Sequence, residues 1–315
     1  MRTIVSRPYK DQDDYIQMQE LLMQARQLTS DWRYAHVGEL AFNFFMIAIH
    51  LNLQDHIRLW HDDRKLVGFA IIGEDPLFDW QILPGYEWIG IEEEALAWAE
   101  ARIVDLREDD ENTWGGELVS GSRQDNPERI GFLERHGFTY RGDFSEVNMI
   151  LSLADPLPVP QVPDGFTIRA FLGSAELAER ALIQHDVWQP WSVGDVSEAD
   201  YEFMTKMPGY DRSLDIVTVS PTGEIAAYVN GWIDPVNKIG DLGPVGAREP
   251  YRRRGLTRAA QLECLRRMQE MGMNRACIST GFSNIPAQQL YQSIGFKIVN
   301  RYLDYTKPNE KLQAI

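Results

Sequence analysis

The sequence predicts a mixed α/β fold used twice in tandem, each copy a mixed sheet with helices on both faces. Three observations carry this. Strand-like and helix-like stretches alternate through both halves. Four prolines, Pro156, Pro158, Pro160 and Pro163, crowd the middle of the chain. Residues 126–138 also lie over residues 284–296 without a gap, sharing the leading Asn and the closing Gly-Phe; an internal repeat of this kind sets the fold before any single element does. Prolines so close fit neither a helix interior nor a central strand. Residues 154–164 are therefore a semi-rigid linker between a domain at 1–153 and a domain at 165–315.

In the first half, Tyr15, Met18, Leu21, Leu22 and Ala25 recur at helical spacing. Extended runs are expected at 42–51, 57–60 and 67–72, the last two joined by the turn Asp62-Asp63-Arg64-Lys65. Residues 79–106 read as strand, loop and helix, and 118–122 as a short strand. A helix at 126–136 is stopped by Gly137, and 138–153 reads as a terminal hairpin. In the second half, 166–169 is a strand and 175–187 a helix. A tryptophan-rich loop (Trp188, Pro190, Trp191) leads to a second helix through Tyr201. Strands at 214–219 and 225–232 flank Pro221-Thr222-Gly223. After the segment at 240–272 come a strand at 276–280, a helix at 286–293 and a closing hairpin at 296–306.

Composition narrows the function. The 315 residues are 44% hydrophobic and 25% charged, as in a globular protein. The longest apolar run, 41–51, is too short for a membrane span, and the residues after Met1 are polar, so no membrane partner and a cytoplasmic location are expected. The two cysteines, Cys264 and Cys277, fall inside a helix and a strand and read as core residues, with no metal site. A net charge of −16 argues against nucleic acid and favours a cationic small molecule.

Residues 240–272 carry the chemistry. A buried strand (242–247) runs into a basic loop (248–255) and a long helix, with Arg252, Arg253 and Arg254 directly before Gly255. A glycine turn opening a helix is an anion site, because unpaired amides and the helix dipole meet there. Neither a Walker loop nor a dinucleotide fingerprint is present.

The string Arg252-x-x-Gly255-x-Thr257 resembles the pyrophosphate loop of the GCN5-related N-acetyltransferases (GNAT family), with Thr257 where Gly or Ala is usual. The segment from Asn284 through Ala287, Leu290 and Tyr291 to Gly295-Phe296 is similar to that family's fourth helix. The resemblance implies two tandem GNAT-like acyl-CoA N-acyltransferase domains, similar in architecture to mycothiol synthase-type enzymes. It implies acetyl-CoA as co-substrate, held by Val245, Gly246 and Ala247 along the strand, by Arg252, Arg253, Arg254, Gly255, Leu256 and Thr257 around the pyrophosphate, and by Asn284. Tyr291 is then the general acid for the departing thiolate. The family's strand often reads Glu-Pro-Val-Gly, whereas this chain has Gly243-Pro244-Val245-Gly246. Asp241, two residues earlier on the same strand face, is the candidate base.

A small-molecule amine is the expected acceptor, with Trp188, Trp191, Tyr228 and Asn230 as its walls, since aromatic rings suit an ammonium. The first half is expected to be degenerate. Glu87, Trp88 and Ile89 stand where the arginines stand, Glu92, Glu93 and Glu94 open the helix, and Leu133 replaces Tyr291. One like-charge pair at about 4 Å costs roughly 4 kcal/mol at an effective dielectric near 20, or about three decades of affinity. A non-catalytic acyl-CoA sensor, with the first half as partner surface, is the alternative. A tRNA-dependent acyltransferase is disfavoured by the acidic charge.

Overall fold

The computed structural model describes residues 3–29, 33–73, 76–109 and 117–308. The first half runs β1 (Ile4–Pro8), α1 (Gln12–Leu28), α2 (Val37–His50), α3 (Leu53–His56), β2 (Ile57–Asp62), β3 (Lys65–Ile72), β4 (Phe78–Ile82), α4 (Ile91–Asp109), β5 (Glu117–Arg123), α5 (Pro127–Arg135) and β6 (Thr139–Ser152). The second runs β7 (Thr167–Ala170), α6 (Leu177–Trp188), α7 (Glu198–Thr205), β8 (Asp215–Val219), β9 (Ile225–Asp234), β10 (Ile239–Ala247), α8 (Leu256–Glu270), β11 (Arg275–Gly281), α9 (Ile285–Ile294) and β12 (Lys297–Pro308). The order β4-α4-β5-α5-β6 thus recurs as β10-α8-β11-α9-β12. No helix among the described residues is long and apolar enough to cross a membrane.

Two sheets form, β1-β2-β3-β4 and β5-β12-β6-β11-β10-β9-β8-β7. The larger one belongs to both halves. β6 pairs antiparallel with β11 of the second half, β12 pairs antiparallel with β5 of the first, and β6 and β12 pair with each other. Each half therefore ends in a single long strand lent to the other, where terminal hairpins at 138–153 and 296–306 are expected from sequence. Gly142, with φ of 80°, sits within a continuing strand instead of closing a turn.

The second correction concerns residues 42–51, which are helical and not extended. Leu40, Ala41, Phe44, Phe45, Met46 and Ile47 of α2 are all buried. One apolar cluster joins them to Tyr15 and Leu22 of α1, Tyr201 of α7 and Trp232 of β9. The exposed stripe of this helix is only Glu39, Asn43 and His50, too narrow within an apolar run to reveal its period. The outcome places α2, a first-half helix, against the sheet of the second half.

Candidate active site

β10 and β11 run parallel and pair at only three positions, Ile239 with Arg275, Gly240 with Ala276, and Asp241 with Cys277. Beyond Asp241 the strands part, although each continues for several residues. The pairing of β10 with β9 also breaks register between Leu242 and Val245. A wedge-shaped opening results, with Asp241 at its apex and Val245, Gly246 and Ala247 along one edge. Gly246 is needed on the side away from the wedge, since a Cβ there would stand 2.4 Å from Val187 of α6.

At the wide end of the wedge, a 3₁₀ turn (Glu249–Tyr251) leads into Arg252-Arg253-Arg254-Gly255. Arg253 and Gly255 take positive φ (63° and 78°), which folds the loop back over the start of α8. No side chain caps α8, so the amides of its first turn keep their donors for an anion. Arg252 donates to the Ala247 carbonyl (3.1 Å), and the Arg254 guanidinium lies 5.7 Å from the Tyr251 ring centroid. A cavity of about 210 Å³ opens here, lined by Tyr251, Arg253, Thr257, Arg258, Pro286 and Leu290. Leu256 itself is buried, leaving only its backbone to face a ligand.

Asn284 caps α9, accepting from the Ala287 amide (3.3 Å) and donating to Thr280 Oγ1 (3.2 Å). Tyr291, two turns on, packs its ring near Phe296, and its hydroxyl has no hydrogen-bond partner among the described residues. Burial, with the Asp241 charge adding, pushes that phenol up to about 12, so it holds its proton at neutral pH.

The Asp241 carboxyl is pushed up to about 6 by burial, against the opposing effects of the Cys277 thiol, Arg26 and the Leu242 amide. The Cys277 Sγ lies 3.4 Å from Asp241 Oδ1. Glu39 of α2 and Glu146 of β6 border the same recess. Both residues are solvent-exposed, and protein atoms crowd each carboxyl. Glu39 is raised to about 8 by burial, then by the charges of Asp79, Glu146 and Asp241; Glu146 is raised by burial as well. A carboxyl raised by burial and by three neighbouring carboxylates marks a recess that a cation relieves.

The expected acceptor walls are elsewhere. Tyr228 is fully buried, its hydroxyl taking a bond from Trp188 Nε1 and donating to Gln184 Oε1, both at 2.6 Å. Asn230 accepts from Arg180 Nη2 at 2.5 Å, and Arg180 also pairs with Asp215 and stacks on Tyr201 and Tyr228. These polar groups are consumed under α6 and α7. Trp191 is 64% exposed on the outer surface.

The first half builds the same loop with a different content. Trp88 and Gly90 take positive φ (60° and 113°), as Arg253 and Gly255 do. There, however, Glu92, the counterpart of Thr257, folds its buried carboxylate onto the Trp88 amide at 2.8 Å. The opening between β4 and β5, joined among the described residues by a bridge from Leu77 to Val119, is crossed by Arg129. This side chain donates to Gly121 O (2.8 Å), Trp80 O (2.9 Å) and Asp79 Oδ1 (2.5 Å), and lies 3.6 Å over the Trp80 ring. Its counterpart in the repeat is Ala287. The sequence reading missed Arg129, although the exchange is visible once residues 126–138 are laid over 284–296.

Residues 181–296, which span β10, the arginine loop and α9, match the model of the acetyltransferase (GNAT) family. Among curated relatives, the mycothiol acetyltransferase of Thermobispora bispora is 26% identical over 251 residues, 76% of this chain and 79% of that protein. Two solved structures share the fold over nearly the whole length. A GCN5-related N-acetyltransferase from Sphaerobacter thermophilus superposes with a TM-score of 0.65 at 19% identity, covering 97% of this chain and 96% of its own. A tandem GNAT protein from the clavulanic acid biosynthesis pathway also reaches 0.65, at 14% identity, covering 98% and 99%. Both halves of the present chain thus follow the tandem GNAT architecture.

Proposed function

We propose that the second half transfers an acetyl group from acetyl-CoA to the amine of a small cationic molecule, and that the first half binds no acetyl-CoA. The observation that carries this is the wedge between β10 and β11, with a carboxyl at its apex, a phenol beside it and an uncapped, arginine-flanked helix start at its mouth. Backbone groups of Val245 to Ala247 flank the pantetheine arm, and the loop from Arg252 to Thr257 takes the pyrophosphate. Asp241 removes a proton from the acceptor ammonium. The freed nitrogen attacks the thioester carbon, the C–S bond breaks, and the sulfur takes its proton from Tyr291. Glu39 and Glu146 supply the negative surroundings that favour a cationic acceptor. In the first half, Glu92 already fills the anion loop and Arg129 already bridges the wedge.

Two results are expected from a CoA-release assay over a panel of small amines. The Tyr291→Phe variant loses kcat by about 10²-fold, within the usual range for one acid–base group, while acetyl-CoA affinity stays near wild type. In the intact enzyme, kcat/KM rises with pH up to about 6 and then levels, because Asp241 must be ionised to accept a proton. A Tyr291→Phe enzyme with unchanged kcat removes the acid role. A profile flat from pH 5 to 7 removes the base.

A further inference from the structure

The start of α2 belongs to the first half, yet it touches the carboxyl at the apex of the second half's wedge. His36 precedes the helix and is 4% exposed. Its Nδ1 accepts the Gly38 amide (3.0 Å), which leaves the ring proton on Nε2, facing the Ile239 carbonyl at 3.3 Å. One neutral imidazole therefore caps α2 and ties it to β10, two residues from Asp241. Burial and the nearby Arg26 hold His36 well below its ordinary pKa, so it stays neutral. Its Nδ1 is 3.9 Å from Asp241 Oδ2, too far for a hydrogen bond. Contact with the carboxylate is made by Gly38. A Cβ on Gly38 would stand 2.8 Å from Asp241 Oδ2 and 2.7 Å from the Trp232 Cβ. Gly38 does not take positive φ, so backbone freedom does not require glycine here; the close approach does.

We infer that the first half completes the acyl-transfer site by positioning Asp241, with His36 fixing the start of α2 and Gly38 letting the helix end lie against the carboxylate. This rests on Asp241 being the base. The positive end of α2 favours the ionised carboxylate. The other groups facing it are the Cys277 thiol of β11, Arg26 of α1, Glu39 of α2 and the Tyr291 phenol of α9. His36 and Gly38 are positioning residues, and the first half is then a working part of the site even though its own cofactor loop is filled.

The test uses the full chain carrying Gly38→Ala or His36→Asn, each also combined with Asp241→Asn. Measured are kcat, KM for acetyl-CoA, acetyl-CoA affinity and the pH profile. The added Cβ of Gly38→Ala presses on Trp232 as well as on the carboxylate, so urea unfolding is measured beside turnover, and His36→Asn, which adds no atom at that contact, carries the test independently. Expected is at least a tenfold fall in kcat with acetyl-CoA affinity within twofold of wild type, and no further fall when Asp241 is already Asn. Asparagine at 36 can still cap Gly38 but does not reach Ile239. His36→Asn should move the acid limb of the profile to higher pH, since a displaced helix end no longer favours the charged carboxylate. Wild-type kcat and an unmoved acid limb in both variants overturn the inference. So does a Gly38→Ala loss that is equally large in the Asp241→Asn background. If Gly38→Ala no longer binds acetyl-CoA, the acid limb of His36→Asn decides alone. A failure of Asp241→Asn to lower kcat would overturn the base assignment itself, and it is read separately.

Discussion

Replacing Asp241 with Asn lowers kcat by about 100-fold or more, in the range one general base supplies, and leaves KM for acetyl-CoA close to wild type. The substitution keeps shape and an acceptor for the Cys277 thiol and the Leu242 amide, so the apex of the wedge should hold its form. What it removes is the ability to take a proton. The cofactor contacts proposed above lie farther along, from Val245 to Thr257, which is why the effect is expected on turnover. The acid limb near pH 6 should vanish in the same variant. A fall of less than threefold would mean that the enzyme draws on the free-base fraction of its amine and that Asp241 is a bystander.

Replacing Arg180 with Met lowers unfolding free energy by about 3–5 kcal/mol, the usual cost of stranding a buried partner charge. Arg180 is fully buried between the Tyr201 and Tyr228 rings. Its partner Asp215 is equally buried and also accepts from Tyr201 (2.5 Å) and Tyr210 (2.9 Å). Methionine fills part of the space but leaves that carboxylate with two neutral donors and no cation. Urea denaturation of the full chain measures the loss, and a change under 1 kcal/mol contradicts the account. The same network bears on the acceptor: Asn230→Ala should weaken folding and leave KM for the amine unchanged, since Asn230 is consumed by Arg180 and does not line the recess.

Much of this was legible in the sequence where local signals decide. Arg252 to Thr257 and the segment from Asn284 to Phe296 carry the loop and the helix in their own residue order, and Asp241 was reached from the family's missing strand glutamate by strand alternation. Partner choice was not legible. β6 and β12 alternate like hairpin arms, and nothing local says that each will pair across to the other half. α2 hid for a related reason: between residues 40 and 47 only Asn43 is polar, because the helix packs on β9 and β10 and beside α1, and one polar residue does not show a period. Tyr228 and Asn230 were placed on the correct strand and face, but Arg180, one helix away, claims that face. The proposed acceptor recess draws Glu39 and Glu146 from elements outside the second half, so no reading of that half alone could assemble it.

The division of labour between the halves is tested most directly by calorimetric titration of acetyl-CoA into the full chain, with Arg254→Glu as the paired variant. One site per chain is expected, weakened at least tenfold by Arg254→Glu, because the only arginine-flanked, uncapped loop among the described residues is at 252–257 and its first-half counterpart holds Glu92. Two sites per chain, or one that the substitution leaves intact, would contradict the account.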